Sequence, residues 1–163
     1  MGFLSKNQLS KIGFKKTGSN VLISDKATFY NPELMEIGSN SRIDDFCVLS
    51  GKIIIGKNVH IGSHGSLNAG KTGIFMDDFS GLAYNCVVFA ESDDYSGNAL
   101  SNPTVPKKYL KITKKPIHLK KHALVGASSV ISPGCIIEVG SAVGSMSFVT
   151  KSIEPWSIYV GIP

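Results

Sequence analysis

No stretch of this sequence approaches the run of about 18 apolar residues that a membrane helix needs, and the N-terminus lacks the apolar core of a signal peptide. No membrane insertion is expected, and the default compartment is the cytoplasm. Cysteine is scarce: Cys47, Cys86 and Cys135 form no CxxC pair, and their odd number argues against a disulfide framework. Apolar residues rarely recur at helical spacing, which excludes a long coiled coil; with 17 glycines this points to a β-rich chain punctuated by turns. Charged residues are only 18% against 42% hydrophobic, so the 163 residues are expected to form one globular domain over 1–163. The net charge of +5 favours anionic partners without choosing among phosphorylated cofactors, acidic sugars and nucleic acid. The lysines lack the aromatic interleaving of a nucleic-acid platform, so no nucleic-acid partner is expected.

What the sequence does have is a period of six. Aliphatic residues fall at Ile37, Ile43, Leu49, Ile55, Ile61 and Leu67, resume out of phase at Met76, Leu82 and Val88, and return at Leu119, Val125, Ile131, Ile137, Val143 and Val149. Glycine often follows, as at Gly38, Gly56, Gly62, Gly126 and Gly144. The fifth position of the hexad favours small residues, among them Ser41, Ser80, Ala123, Ser129, Ser141, Ser147 and all three cysteines. A β-sandwich would alternate with period two, whereas turn-prone residues in every hexad imply short parallel strands wound into a solenoid, with the aliphatic position stacked as its core. Residues 1–20 are expected to form a helical cap, since Ser5 and Gln8 have capping-box spacing and Gly13 could end the turn. Residues 92–118 break the period with Pro103, Pro106, Pro116 and a lysine series and are expected to form one extended loop.

These hexads resemble those of the hexapeptide-repeat acyltransferases. Ile137 to Ile153, IEVGSAVGSMSFVTKSI, is similar to the C-terminal signature of that family, and EPWSIYVGIP continues it. The resemblance implies an all-β fold, a left-handed parallel β-helix with three hexads per coil, assembled as a homotrimer with active sites between subunits. It also implies acetyl-CoA as acyl donor, with no metal. SDDYSG followed by SNPTVP resembles a branch of sugar O-acetyltransferases from bacterial surface-polysaccharide (lipopolysaccharide O-antigen and capsule) pathways. The expected reaction is therefore acetyl transfer to a sugar hydroxyl, the alternative being N-acetylation of a nucleotide-linked amino sugar. A basic segment usually follows in that family where this chain ends at Pro163, which implies trimming.

The family's catalytic histidine has no counterpart here. Asp94 stands at its place, flanked by Asp93 and Tyr95, and an ordinary carboxylate, with a pKa of about 3.9, is a weak base for a hydroxyl. An amine is already nucleophilic when neutral, so the acidic pair would suffice for an amino sugar. Asp93 and Asp94 read equally well as turn residues at a loop root. His64 and His122, whose side chains could replace the missing base, take the fourth hexad position, shared with Asn40, Asn58, Asn85, Gly70, Gly134 and Gly140. Those residue types tolerate positive φ, so both histidines also read as corner residues. His60 and His118, at the sixth position, are expected to be solvated corner residues.

The resemblance further implies acceptor contacts from Asn68 and Asn85, with Tyr95 beside them, and Gly70 where a second Asn is common. It implies donor contacts from Gly126, Ala127, Ser128, Gly144 and Ser145, with Thr150 and Lys151 near the nucleotide end and Leu124 where Trp is common. The loop lysines Lys107, Lys108, Lys111, Lys114, Lys115, Lys120 and Lys121 would attract diphosphates. The pairs His60–His64 and His118–His122 invite comparison with the zinc-binding γ-class carbonic anhydrases, which share the solenoid, but their spacing differs. A non-catalytic assembly solenoid is the remaining alternative.

Overall fold

Each hexad builds one short strand and one corner. In a computed structural model describing residues 2–162, the hexads wind into a left-handed parallel β-helix of about 7 turns, preceded by one short helix. Pro163, where trimming was expected, lies outside the described residues.

Three parallel sheets make the sides of a prism. The first face runs from Lys16–Thr17 through Glu36–Ile37, the end of Val48–Ile55, the end of Ser66–Met76 and Ile117–Leu119 to Ile136–Ile137. The second stacks Leu22–Ile23, Arg42–Ile43, His60–Ile61, Gly81–Leu82, Leu124–Val125, Ala142–Val143 and Ile158–Tyr159. The third stacks Thr28–Tyr30, the starts of Val48–Ile55 and Ser66–Met76, then Val87–Phe89, Val130–Ile131 and Phe148–Val149.

The aliphatic residues of the hexads fill the centre, none more than 3% exposed. Each buried side chain contributes about 1.5–3 kcal/mol, so this column is the main source of stability. The column is longer than the period of six indicates. Ile23 and Phe29 pair in register with Ile43 and Leu49, and Tyr159 with Val143. A short 3-10 turn at Pro32–Leu34 separates Phe29 from Ile37 and puts the first coil out of phase.

Corners need a residue at positive φ. At the first corner these are Asn20, Asn40, Asn58, Phe79, His122, Gly140 and Trp156; at the second, Phe46, His64, Asn85, Ser128 and Met146; at the third, Gly51, Gly70 and Gly134 among others. The fourth-position reading thus holds for all eight residues that suggested it. The fifth position points inward and does more than stay small. Ser41 Oγ donates to the Gly56 carbonyl at 2.8 Å, Cys47 Sγ to that of Gly62 at 3.2 Å and Ser129 Oγ to that of Gly144 at 3.0 Å, so the side chain satisfies a backbone acceptor at the same corner of the next coil. Glycine after the aliphatic residue has a packing cause: a Cβ at Gly38 would collide with the Gly56 carbonyl of the next coil.

The helix Lys6–Ile12 starts at the Ser5–Gln8 capping box and ends at Gly13 with φ 85. Leu9 and Phe14 pack on the open end of the core. Lys16–Thr17, within the stretch read as the cap, already pairs with Glu36–Ile37.

Candidate active site

The long loop leaves and re-enters at the third corner, where Lys115 N donates to the Ala90 carbonyl at 3.0 Å. Its ends are closed by the antiparallel pair Glu91–Ser92 and Thr113–Lys114, with Lys114 Nζ 3.5 Å from Glu91. His118 is already back in a strand, so the excursion is narrower than 92–118.

Both loop-root aspartates fold the loop. Asp93 Oδ2 accepts from Asn102 N at 3.2 Å, and Asp94 Oδ1 accepts from Ser96 N at 3.0 Å and Ser96 Oγ at 2.7 Å. The hydrogen bonds from Ser96, helped by the charge of Lys111, hold the Asp94 carboxyl below its ordinary value. Its other oxygen, Oδ2, is covered and has no partner among the described residues. Asp94 is thus a fixed anion with one unanswered acceptor, an arrangement that holds an N–H donor and is badly tuned to strip a hydroxyl. Tyr95 beside it is 91% exposed and borders an apolar hollow of about 520 Å³ with Phe89, Val130, Pro133 and Phe148 on the third face.

The remaining candidates divide among different edges. Asn68 lies on the third face in register with Phe89, and its carbonyl accepts from Ala90 N at 2.8 Å, so it stays near the loop root. Asn85 is at the second corner with φ 58. His64 and His122 sit at the second and first corners with φ 61 and 62, stacked on Phe46 and Phe79 at 5.0 and 5.2 Å. The fold brings neither histidine to the acidic pair.

Gly126, Ala127 and Ser128 turn the second corner, and Gly144 and Ser145 do so one coil on. A Cβ on Gly126 would come within 2.5 Å of Ser145 N, so glycine here lets coils stack. Thr150 and Lys151 are exposed beyond the strand Phe148–Val149, on the far side of the third face from that edge.

His60 and His118 are not corner residues, although the His60 side chain is solvated as expected, 49% exposed. Both occupy strands, because the sixth hexad position is an outward strand position, and both meet a carboxylate: His60 Nε2 is 2.9 Å from Asp44 Oδ2, and His118 Nε2 is 2.7 Å from Asp77 Oδ1. The His60–Asp44 pair was missed in the sequence because the two are sixteen positions apart. Measuring by whole coils, which puts His60 in register with Arg42, would have found it. No group of three or more metal-binding side chains exists among the described residues, and no described helix is long and apolar enough to cross a membrane.

The family model described as bacterial transferase hexapeptide (six repeats) matches residues 35–68. A dTDP-4-amino-4,6-dideoxy-D-glucose acyltransferase of Escherichia coli is 39% identical, over 100% of this chain and 86% of its own length. The chain belongs to the hexapeptide-repeat acyltransferases. AntD, an N-acyltransferase from Bacillus cereus solved with dTDP and 3-hydroxybutyryl-CoA, is 49% identical, with a TM-score of 0.96 over 98% of this chain and 85% of that one. A variant of the same enzyme was solved with dTDP-4-amino-4,6-dideoxyglucose and coenzyme A, at TM-score 0.97 over 99% of this chain and 86% of that one, again 49% identical. A galactoside O-acetyltransferase of Escherichia coli strain K12 is more distant, 29% identical over 66% of this chain and 52% of its own length. In this acyltransferase, then, the loop-root carboxylates and the small residues of the second corner are the features to connect with chemistry.

Proposed function

We propose that this acyltransferase moves an acyl group from acyl-CoA to the amino group of a dTDP-linked 4-amino-4,6-dideoxyhexose. The observation that carries the reading is Asp94. A carboxylate kept ionised by Ser96, with Oδ2 covered but unpartnered, can accept a hydrogen bond from an amine that reaches it and hold it for attack. It is too weak a base for a hydroxyl, which turns the reading from the expected O-acetylation to its N-acyl alternative. The relatives that cover nearly the whole chain act on amino sugars or bind them, which supports the same choice.

The residues of the second corner fit the donor. Gly126, Ala127, Ser128, Gly144 and Ser145 form a run of small residues, bordered by Met146, along which an extended arm can lie, and Lys151, at the third corner, would supply a cation for its phosphates from a neighbouring copy. The bound donor supplies the activated thioester; backbone N–H groups of that edge hold the carbonyl oxygen as charge develops. Asn68 and Asn85 would bond sugar hydroxyls, and Tyr95 would cover the ring. Because loop root and second corner lie on different edges of one prism, a homotrimer in which a partner's edge meets the loop root unites them. Water-soluble substrates of this kind suit a cytoplasmic step toward surface polysaccharide.

Incubation with dTDP-4-amino-4,6-dideoxyglucose and a panel containing acetyl-CoA and 3-hydroxybutyryl-CoA tests the reading by intact mass. The expected product gains one acyl group and resists hydroxylamine, as an amide does. A hydroxylamine-labile product, or none with any amino sugar, refutes the proposal.

A further inference from the structure

Gly81 is the glycine that the fold does not explain. Every other glycine of the chain either takes a positive φ or would bring a Cβ within 3.0 Å of a neighbouring atom. A Cβ on Gly81 would meet only the His60 carbonyl at 3.4 Å and Leu124 Cδ2 at 3.5 Å, both ordinary contacts. The position is on the outward side of the second face, buried between His60 and Leu124 in register. Glycine weakens a strand, and in such a place it marks the close approach of a ligand or another backbone. A cleft of about 450 Å³ lies against it, lined by Asn58 and His60 of the preceding coil, Phe79 of its own and Leu124 of the next.

The polar end of the cleft is built. The Asp44 side chain is only 3% exposed; Oδ1 accepts from Arg42 Nε at 2.6 Å and Oδ2 meets His60 Nε2 at 2.9 Å. A carboxylate bonded in this way draws the imidazole proton to Nε2 and leaves Nδ1 as an acceptor. Asp44 and Arg42 are the charged groups that face His60; Gly81 and Leu124, on its other side, bring none. His118 has a similar partner in Asp77, but that carboxylate is 43% exposed and the pair lies on the first face.

We infer that the Gly81 cleft seats the acceptor amino sugar and that His60, oriented by Asp44, takes the proton that the amine gives up. The inference rests on the N-acyl reading above. The amine nitrogen forms a bond to the thioester carbonyl carbon, the C–S bond breaks, and CoA leaves as thiolate with the bonding pair. Nitrogen loses one proton to His60 Nδ1, which passes it to the thiolate, so the products are the amide and the CoA thiol. Asp94 holds the amine but, being a weak base, does not keep its proton. Within one chain the third corner and the second face are opposite sides of the prism, so the Asp94 that shares this site belongs to a second copy.

The test uses the intact protein, acyl-CoA and dTDP-4-amino-4,6-dideoxyglucose. Turnover by the wild type decides the N-acyl reading first; its absence sinks that reading, and this inference with it. Given turnover, His60→Asn and His60→Gln are expected to lower kcat by about 10² to 10⁴-fold, with the acceptor KM within about threefold of wild type and CoA binding by calorimetry unchanged. Gly81→Val is expected to raise the acceptor KM at least about tenfold, and His118→Asn to behave as wild type. Mixed refolding of the inactive His60→Asn and Asp94→Asn chains is expected to restore activity. A kcat of the His60 variants within threefold of wild type, or no recovery on mixing, would overturn the inference.

Discussion

The imidazole of His122 lies on the phenyl ring of Phe79, with centroids 5.2 Å apart and planes inclined by 18°. His64 repeats the arrangement on Phe46, at 5.0 Å and 26°. In each case both rings belong to residues at positive φ, one coil apart. Bulky side chains pay a conformational cost there that Asn and Gly avoid, and stacking offsets part of it.

Replacement of His122 by Val, branched at Cβ, should therefore destabilise the chain by about 1–3 kcal/mol, whereas His122→Asn should stay within about 1 kcal/mol of wild type. Denaturant melts measure both. Equal losses from the two would show that the left-handed corner is not what the residue serves.

The three thiols should be inert. Burial raises the Cys47 thiol to about 11 and pushes Cys86 and Cys135 up as well. A thiol reagent at neutral pH should label none in the folded protein and all three after unfolding. These groups are neutral when folded and ionise more readily when unfolded, so their contribution to stability is complete below the ordinary value of 9.0. It should fade as pH rises from there toward about 11. Rapid labelling of the native chain would contradict the packing described.

Ile61 and Ile131 are both fully enclosed in the central column. Truncation of either to Ala should cost about 2–5 kcal/mol, read from the denaturant midpoint at constant slope. A loss below 1 kcal/mol would mean that the coils collapse onto the vacancy.

The period of six was enough to give the solenoid, because every coil repeats one solution to the same packing problem. Where that repetition lapses, the sequence is silent. The turn at Pro32–Leu34 hides the coil that carries Ile23 and Phe29. The fifth position was readable as small, but not as a donor to the same corner of the next coil, since Ser41 and Cys47 share that role with no common polarity. His60 was misplaced at a corner because its partner Asp44 comes within reach only once a coil's length is known. Asp94 was found through resemblance, whereas its pairing with Ser96, which decides its chemistry, is a local loop geometry without periodic signal.

Asp94 should remain ionised through the neutral range, because Ser96 and Lys111 hold its carboxyl below the ordinary 3.8. A depressed carboxyl adds stability that is present above its unfolded value and lost as pH falls through the folded one. Asp94→Asn should therefore lower turnover without shifting any limb of the pH–rate profile above about pH 5. The acceptor amine titrates alike in every variant, so a limb that vanishes with Asp94 alone would assign the proton to the wrong residue here.

The most direct measurement of the central claim is competition between two dTDP-linked 6-deoxyhexoses, one with an amino group at C4 and one with a hydroxyl, for limiting acyl-CoA. The N-acyl account predicts a kcat/KM ratio of at least about 100 in favour of the amine, read as amide over ester by mass spectrometry. A ratio near one, or an excess of ester, would contradict it.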